Sequence, residues 1–426
     1  MNMNNQLLHT PEGVRDIYAE ECARKLAVEQ KIQHVFSLYG YQSIETPVFE
    51  FFDIFKKERG SVGSQGMYKF FDRDNNTLVL RPDMTPPIAR CVAKYYMDET
   101  KPLRLCYLGP TFINGTSYQG RLKESTQTGA ELIGDDTADA DAEMIAMLID
   151  ALKETGLKEF QVELGQVEFY RGLVEESGMN EETQEQLRIL IENKNYFGVE
   201  ELLSEQTMTQ EQKQLFLKLP ELFGGISQIK KAKTLTHNPQ ALAAIERLER
   251  VHTLLEEYHM ADYVSYDLGM LSRYQYYTGI IFKAYTYGTG DYIVTGGRYN
   301  KLLVKFGKDT PAVGFAIVVD QLMAALSRQQ IHIPVQLVNT VILYEPSARQ
   351  SAVRLSRFFR SEGTPVQAMV MEEGKSLEDY KEMAKKRGLR TILCLKDAGN
   401  TVTAFDMLTG NVDETPVSAY GVRGIL

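Results

Sequence analysis

Residues Gly109–Gly134 read GPTFINGTSYQGRLKESTQTGAELIG, two strand-like runs joined by a polar loop from Asn114 to Gly120. Such a loop between paired strands is suited to closing over a ligand. Its entry is chemically odd, because Ile113 and Gly115 lead into it and no charge appears before Arg121. A loop built around a ligand, with no cation at its mouth, is the feature from which the fold and the function are read.

Around this stretch lies a chain of 426 residues, too long for one ordinary core, so two or three domains are expected. Hydrophobic residues make up 43% and charged residues 24%, the balance of a soluble globular protein. A net charge of −10 argues against a surface made for wrapping nucleic acid, since phosphate binding rests on Lys and Arg. The start, MNMNNQLLHTPEG, has no basic segment followed by an apolar run, and no window approaches a membrane span. Cys22, Cys91, Cys106 and Cys394 are scattered without a C-x-x-C pair, which reads as buried, reduced thiols in a cytoplasmic protein.

Upstream, Ala19 to Leu38 has helical periodicity and stops before Gly40. YQSIETPVFEF follows as a strand whose Pro47 suits an edge or an interface. YKFFD, the turn RDNN and TLVLRPDM form a hairpin, and Thr85 before Pro86 and Pro87 reads as the N-cap of a helix. A further helix is expected from about Ala138 to Thr155. Asp135, Asp136, Asp139 and Asp141 precede or open it, but they lack the glycine and terminal glutamate of a calcium loop. Carboxylates facing a helix N-terminal dipole account for them, and no metal is expected.

Downstream, residues 168–260 read as a charged helical insertion, with His252 and His259 seven apart on one helix as core or surface residues. Strands return at ADYVSYDLGM, YQYYTGIIFKAYTY and DYIVTGGRYN, and TPAVGFAIVVDQLMAAL runs from strand into helix. The body therefore spans 1–328, and LSRQQIHIPVQ reads as a linker. Residues 336–426 alternate strand and helix, the pattern of a small α/β domain with a mostly parallel sheet. Val335–Leu426 is nearly neutral, with twelve Lys plus Arg against eleven Asp plus Glu.

Four blocks, in order, resemble histidyl-tRNA synthetase and its relatives. They are TPEGVRDI with the helix and strand after it, LRPDMT, the Gly109–Gly134 stretch, and YQYYTGIIF through GGRYNKLL to TPAVGFAIVVDQL. The resemblance covers about Thr10 to Leu326 and is weaker over the insertion and the C-terminal domain. It implies an α+β fold of the class II synthetase type, an antiparallel sheet flanked by helices. It also implies a twofold interface formed by the helix before Gly40 and the strand around Pro47. The C-terminal domain resembles a shortened anticodon-binding domain, without residues that would read RNA bases.

The departures are concentrated on the nucleotide side. Family members carry an arginine at the position of Ile113 and a glutamate at that of Gly115. They carry arginines also at Ser272, in the histidine signature, and at Gln321, where the third motif ends Asp320-Gln321-Leu322. Activation of an amino acid places charge on a phosphate, and fixed cations stabilise it. Losing one such donor costs about 3–4 kcal/mol and losing three costs on the order of 10 if they add. Half of that sum is still thousands-fold in rate. Arg273 is shifted by one residue, and on a strand that turns a side chain to the other face. Arg121 and Lys123 leave room for some anion contact, but no catalytic residue and no cofactor is implied.

The amino-acid side is retained. By resemblance, Asp83, Thr85, Gln127, Glu131, Tyr277 and Tyr299 line a histidine pocket. Asp83 stands where the family has glutamate. Carboxylates and an amide suit an ammonium, and a carboxylate or a phenol suits an imidazole N–H. Singly, Gln127 or Tyr299 would read as structural; the ordered set carries the assignment. The combination resembles the regulatory subunits of ATP phosphoribosyltransferase, which assemble with a short-form catalytic subunit, usually as a hetero-octamer around a homodimeric core. In that family L-histidine is the feedback effector of the first step of histidine biosynthesis, and no tRNA and no membrane is involved. An active histidyl-tRNA synthetase, or another histidine-binding synthetase-like protein, is the alternative.

Overall fold

The computed structural model describes residues 8–56, 62–115, 122–271, 276–335, 337–397 and 400–420. The chain divides into two compact units, residues 1–17 with 24–333, and residues 18–23 with 334–426. The break after residue 333 lies inside the linker read from the sequence between 328 and 336.

The first helix of the chain is α1 (Ala19–Leu38), which Gly40 terminates in the left-handed region at φ +81°. The run expected as one strand is divided by Thr46 and Pro47 into β1 (Gln42–Ser43) and β2 (Phe49–Phe51), which belong to different sheets. Pro lacks the N–H that a continuing ladder would need. Strands β3 (Lys69–Phe71) and β4 (Thr77–Leu80) form the expected hairpin. Its turn is closed by the Asp72 carboxylate, which accepts the N–H groups of Asp74 and Asn76. With β2 they make a three-stranded sheet in the order β2-β4-β3.

Helix α2 (Thr85–Tyr95) leads to β5 (Leu103–Phe112) and β6 (Glu124–Ile133), the two strands of the opening stretch. They pair antiparallel over their full length, with Leu105 opposite Glu131 and Gly109 opposite Gln127. Helix α3 (Ala138–Glu154) is capped by Thr137, and β7 (Phe160–Gln166) follows. The insertion contains α4 (Val167–Ser177), α5 (Glu181–Glu192), α6 (Tyr196–Ser204), α7 (Gln210–Lys218), β8 (Phe223–Gly224), α8 (Ile226–Lys233) and α9 (Pro239–Glu257). His252 lies on α9, bonded to the Tyr266 hydroxyl at 2.9 Å. His259 lies past the end of α9 with φ +57°, so the two do not share a helix.

Strands β9 (Val264–Asp267), β10 (Ile280–Thr286), β11 (Val294–Arg298) and β12 (Ala312–Val318) complete a nine-stranded sheet. Its order is β1-β5-β6-β12-β11-β10-β7-β9-β8, antiparallel except at β1-β5 and β7-β9. Helix α10 (Val319–Arg328) ends the unit. One face of the sheet packs on α1, where Gln33 reaches the Thr128 hydroxyl at 2.7 Å and Phe36 meets Phe315 edge-on. The other face carries Leu105, Tyr107 and Ile281, packed with Met84, Ile88, Val92, Tyr276, Tyr277, Tyr299 and Leu302.

The second unit has a sheet in the order β14-β13-β15-β16-β17, from β13 (Thr340–Tyr344), β14 (Val366–Val370), β15 (Thr391–Leu395), β16 (Thr401–Asp406) and β17 (Val412–Pro416). Helices α11 (Arg349–Ser361) and α12 (Leu377–Lys386) connect its parallel strands. The sheet is mixed rather than mostly parallel. β14-β13-β15 is parallel, while β16 and β17 add antiparallel, a hairpin the sequence pattern did not reveal. All four cysteines are free thiols, but only Cys106 and Cys394 are buried; Cys22 and Cys91 are partly exposed.

Candidate functional site

The face of the large sheet carrying Tyr107 also carries Gln127 and Glu131 of β6, two residues on the same side because four positions separate them. Glu131 is 1% exposed and sits directly opposite Gly314 of β12. A Cβ at Gly314 would lie 1.6 Å from the Glu131 Oε2, so the carboxylate occupies space that only glycine leaves open. The Thr85 hydroxyl donates to Glu131 Oε1 at 2.9 Å, and the Tyr299 hydroxyl donates to Oε2. Burial pushes the Glu131 carboxyl up to about 8, with the Tyr299 and Thr85 hydrogen bonds opposing and the nearby Asp83 charge adding to the rise.

Thr85 is not the N-cap of α2. That position belongs to Met84, which makes no side-chain cap, and the Thr85 hydroxyl is committed to Glu131 instead. Asp83 takes over locally, its Oδ1 accepting the Thr85 N–H at 3.1 Å. Its Oδ2 accepts the Tyr276 hydroxyl at 3.1 Å. Tyr277 is buried beside it, its ring 5.0 Å from Tyr276 and its hydroxyl bonded to Thr295. Burial raises the Tyr277 and Tyr299 phenols well above their ordinary value, so both stay protonated and neutral. The structure thus brings Asp83, Thr85, Glu131, Tyr277 and Tyr299 together. Gln127 is partly buried on the same face, and its side chain makes no hydrogen bond among the described residues.

On the other side of the loop the chemistry differs. Ile113 is 39% exposed at the exit of β5, its N–H donating to the Lys123 carbonyl at 2.8 Å. At the start of α10 the Asp320 carboxylate accepts the Thr126 N–H at 2.7 Å, extending the edge of β6 where Lys25 reaches the Thr126 hydroxyl at 2.6 Å. Gln321, next on α10, is partly exposed and neutral. Arg121, Ser272, Arg273 and most of the loop, residues 116–120, lie outside the described residues.

Three supporting groups were not singled out from the sequence. Arg81 is buried and donates to the carbonyls of Pro110, Thr46 and Pro47, tying the first strand to the opening stretch. A Cβ at Gly109 would come 2.3 Å from its Nη2, which explains the glycine that begins that stretch. Tyr276 was read as part of a motif and not as a contact, and nothing but its adjacency to Tyr277 could have flagged it. Asp141, read as a carboxylate facing the helix dipole, is fully buried and ion-paired to both Arg298 at 2.7 Å and Arg247 at 2.7 Å. Among the described residues no three His, Cys, Asp or Glu side chains converge on a metal position.

The histidyl-tRNA synthetase family model matches residues 13–322. An ATP phosphoribosyltransferase regulatory subunit from Acetivibrio thermocellus is 39% identical over 96% of this chain and 98% of its own length. The chain belongs to the ATP phosphoribosyltransferase regulatory subunit family. Another member, from Ruminiclostridium cellulolyticum, is 38% identical over 97% of this chain and 98% of its own. Among solved structures, an ATP phosphoribosyltransferase regulatory subunit/histidyl-tRNA synthetase from Bacillus halodurans superposes with a TM-score of 0.81 at 33% identity, covering 88% of this chain and 96% of that one. A histidyl-tRNA synthetase from Nostoc sp. PCC 7120, with a TM-score of 0.80 at 20% identity over 99% and 98% of the two chains, shares the fold. The regulatory-subunit family is thus a branch of the class II synthetase-like α+β fold. Among the described residues, no helix is long and apolar enough to cross a membrane.

Proposed function

We propose that this chain is a non-catalytic subunit that assembles with a short-form ATP phosphoribosyltransferase catalytic subunit, raises its activity, and senses histidine in the pocket around Glu131. The reaction served joins ATP to phosphoribosyl pyrophosphate at the start of histidine biosynthesis, in the cytoplasm. The observation that carries this reading is the split in the site. The amino-acid half is a closed set of hydrogen-bonded donors and acceptors, while the nucleotide half presents Ile113 and Gln321 where activation needs cations. The names of the relatives support the partnership. We assign the chain a homodimeric core within a hetero-octamer, with α1 and the segment around Pro47 at the twofold interface. The body, 1–328 with its insertion at 168–260, does the sensing. The unit at 336–426 is a shortened anticodon-binding domain that has no tRNA to read.

Feedback requires that histidine bind one state of the assembly better than another, and a coupling of roughly 1–3 kcal/mol gives a useful response. The test is the activity of a short-form catalytic subunit with and without the purified chain, titrated with histidine. Activation on mixing, reversed by histidine, is the expected result. No activation of a competent partner removes the reading. Histidine-dependent exchange of pyrophosphate into ATP by the chain alone would make it a synthetase instead.

A further inference from the structure

Two exposed faces of the chain carry opposite charge, and neither serves the site described above. The first is on α11, whose 13 residues contain four arginines and no Asp or Glu. Ala352, Leu355 and Ser356 turn inward, while Arg349, Arg354, Arg357 and Arg360 are exposed. Helical spacing sets Arg349, Val353, Arg357 and Arg360 along one line, and Val353 within it is 50% exposed. Arg360 donates to the Val366 carbonyl; the other three arginines make no hydrogen bond or ion pair among the described residues. The second face lies in the helical insertion, where residues 175–205 hold nine Glu against Arg188 and Lys194. Glu181 and Glu182 of α5, and Glu200 and Glu201 of α6, are exposed and unpaired among the described residues. The Leu190 Cδ2 lies 2.7 Å from the Cβ that Gly198 would carry, so α5 and α6 meet there, with Ile189 and Phe197 each one residue before. Those two side chains are 43% and 80% exposed.

We infer that these faces dock on each other between copies of the chain, α11 of one copy against the α5–α6 surface of a second. The planar fork of arginine takes a carboxylate with two bonds at once, which suits a stripe of arginines to a field of Glu side chains. By residue count α11 and α5 are each about 18–20 Å long, so the two faces match in extent. Val353 argues for a protein and against an RNA backbone, because an apolar side chain inside an arginine stripe has nothing to meet on phosphates. Ile189 and Phe197 supply its counterpart, an apolar centre among carboxylates, the ordinary anatomy of a protein contact. Since the faces differ, two copies set about a twofold axis make the contact twice and close the pair. Neither α1 nor the segment around Pro47 takes part. The contact therefore joins chains beyond the homodimeric core proposed above and does not depend on it.

The test is the mass of the full chain by sedimentation equilibrium at about 100 μM, in about 1 M and in about 0.01 M salt. Charges are felt over about 3 Å in the first and about 30 Å in the second. With a net charge of −10 on every copy, general repulsion drives copies apart at low salt. Only a local match of opposite charges then gives the expected result, a doubling of mass as salt falls. Arg354→Glu with Arg357→Glu abolishes the doubling, and so does Glu182→Arg with Glu201→Arg; all four side chains are exposed, so folding is spared. An equal mixture of the two variants regains it, since each reversed face meets its opposite on the other chain. A mass that does not rise as salt falls overturns the inference. So do a doubling that survives either reversal and a mixture that stays apart. Binding of single-stranded RNA without doubling, lost in Arg354→Glu with Arg357→Glu, gives α11 to nucleic acid instead. The high-salt mass reads the homodimeric core by itself. A value of 48.3 kDa there removes that core, while doubling from 48.3 kDa at low salt still upholds this contact.

Discussion

Glu131 is the residue on which the pocket turns, and its environment makes a prediction about pH. In the folded chain its carboxyl is pushed from 4.5 up to about 8 by burial. The native state therefore keeps a proton that the unfolded chain has released over most of that window. Stability falls with pH wherever the folded state binds more protons, so this group's contribution is complete below about pH 4.5 and is lost as pH climbs through 8. The slope is on the order of 1 kcal/mol per pH unit. Glu131→Gln removes the titration, and its melting temperature should hold level between pH 5 and pH 8 relative to a falling wild type. Parallel wild-type and variant curves across that range would place the proton elsewhere. The same carboxylate explains Gly314, whose substitution by any residue with a Cβ drives an atom into Oε2.

Between elements, Asp141 is the junction that sequence pattern misjudged. Its two oxygens bind Arg298 of β11 and Arg247 of α9, and Arg298 further binds Asp136 and the Asp135 carbonyl. One buried charge therefore fastens α3, the last helix of the insertion, and the strand that leads into Tyr299. Deleting one partner of such a set leaves unpaired charge behind, which costs about 3–5 kcal/mol. Asp141→Asn should lower the free energy of unfolding by that amount, and a loss below about 1 kcal/mol would show that the two arginines find solvent instead. The split of the first strand at Pro47 belongs to this scale too. Pro47 lies between β1 and β2, and the Thr46 and Pro47 carbonyls are taken up by Arg81.

For the whole molecule, the pertinent surfaces are α1 and the segment around Pro47, which the proposal places at a twofold interface. Light scattering on the purified chain, whose mass is 48.3 kDa, should give twice that value at micromolar concentration. A monomer under those conditions would remove the homodimeric core from the account. Charge is unequally spread between the units. Residues 335–426 hold twelve basic and eleven acidic side chains, so the acidic excess of the chain lies in residues 1–334. That leaves the second unit without the basic excess that binding an RNA backbone draws on.

Much of this was legible in the chain. Period-two and helical spacing, proline and glycine punctuation and four ordered motifs placed α1, the β3–β4 hairpin, β5, β6, β12 and α10, because these features are local and repeat with the backbone's own geometry. They also grouped Asp83, Thr85, Glu131, Tyr277 and Tyr299, which lie in one neighbourhood of the structure. The β16–β17 hairpin escaped because its strands, TVTAFD and VDETP, are short and polar at the edge of a sheet. What no local pattern contained is who receives each proton: that Thr85 serves Glu131 and not its own helix, that Tyr276 serves Asp83 across 193 residues, and that Asp141 is shared by arginines 106 and 157 residues away. Sequence determined which elements form and which chemical groups are available. Tertiary structure alone decided their pairing, because a hydrogen bond depends on a separation of about 3 Å in space and carries no signature in chain distance.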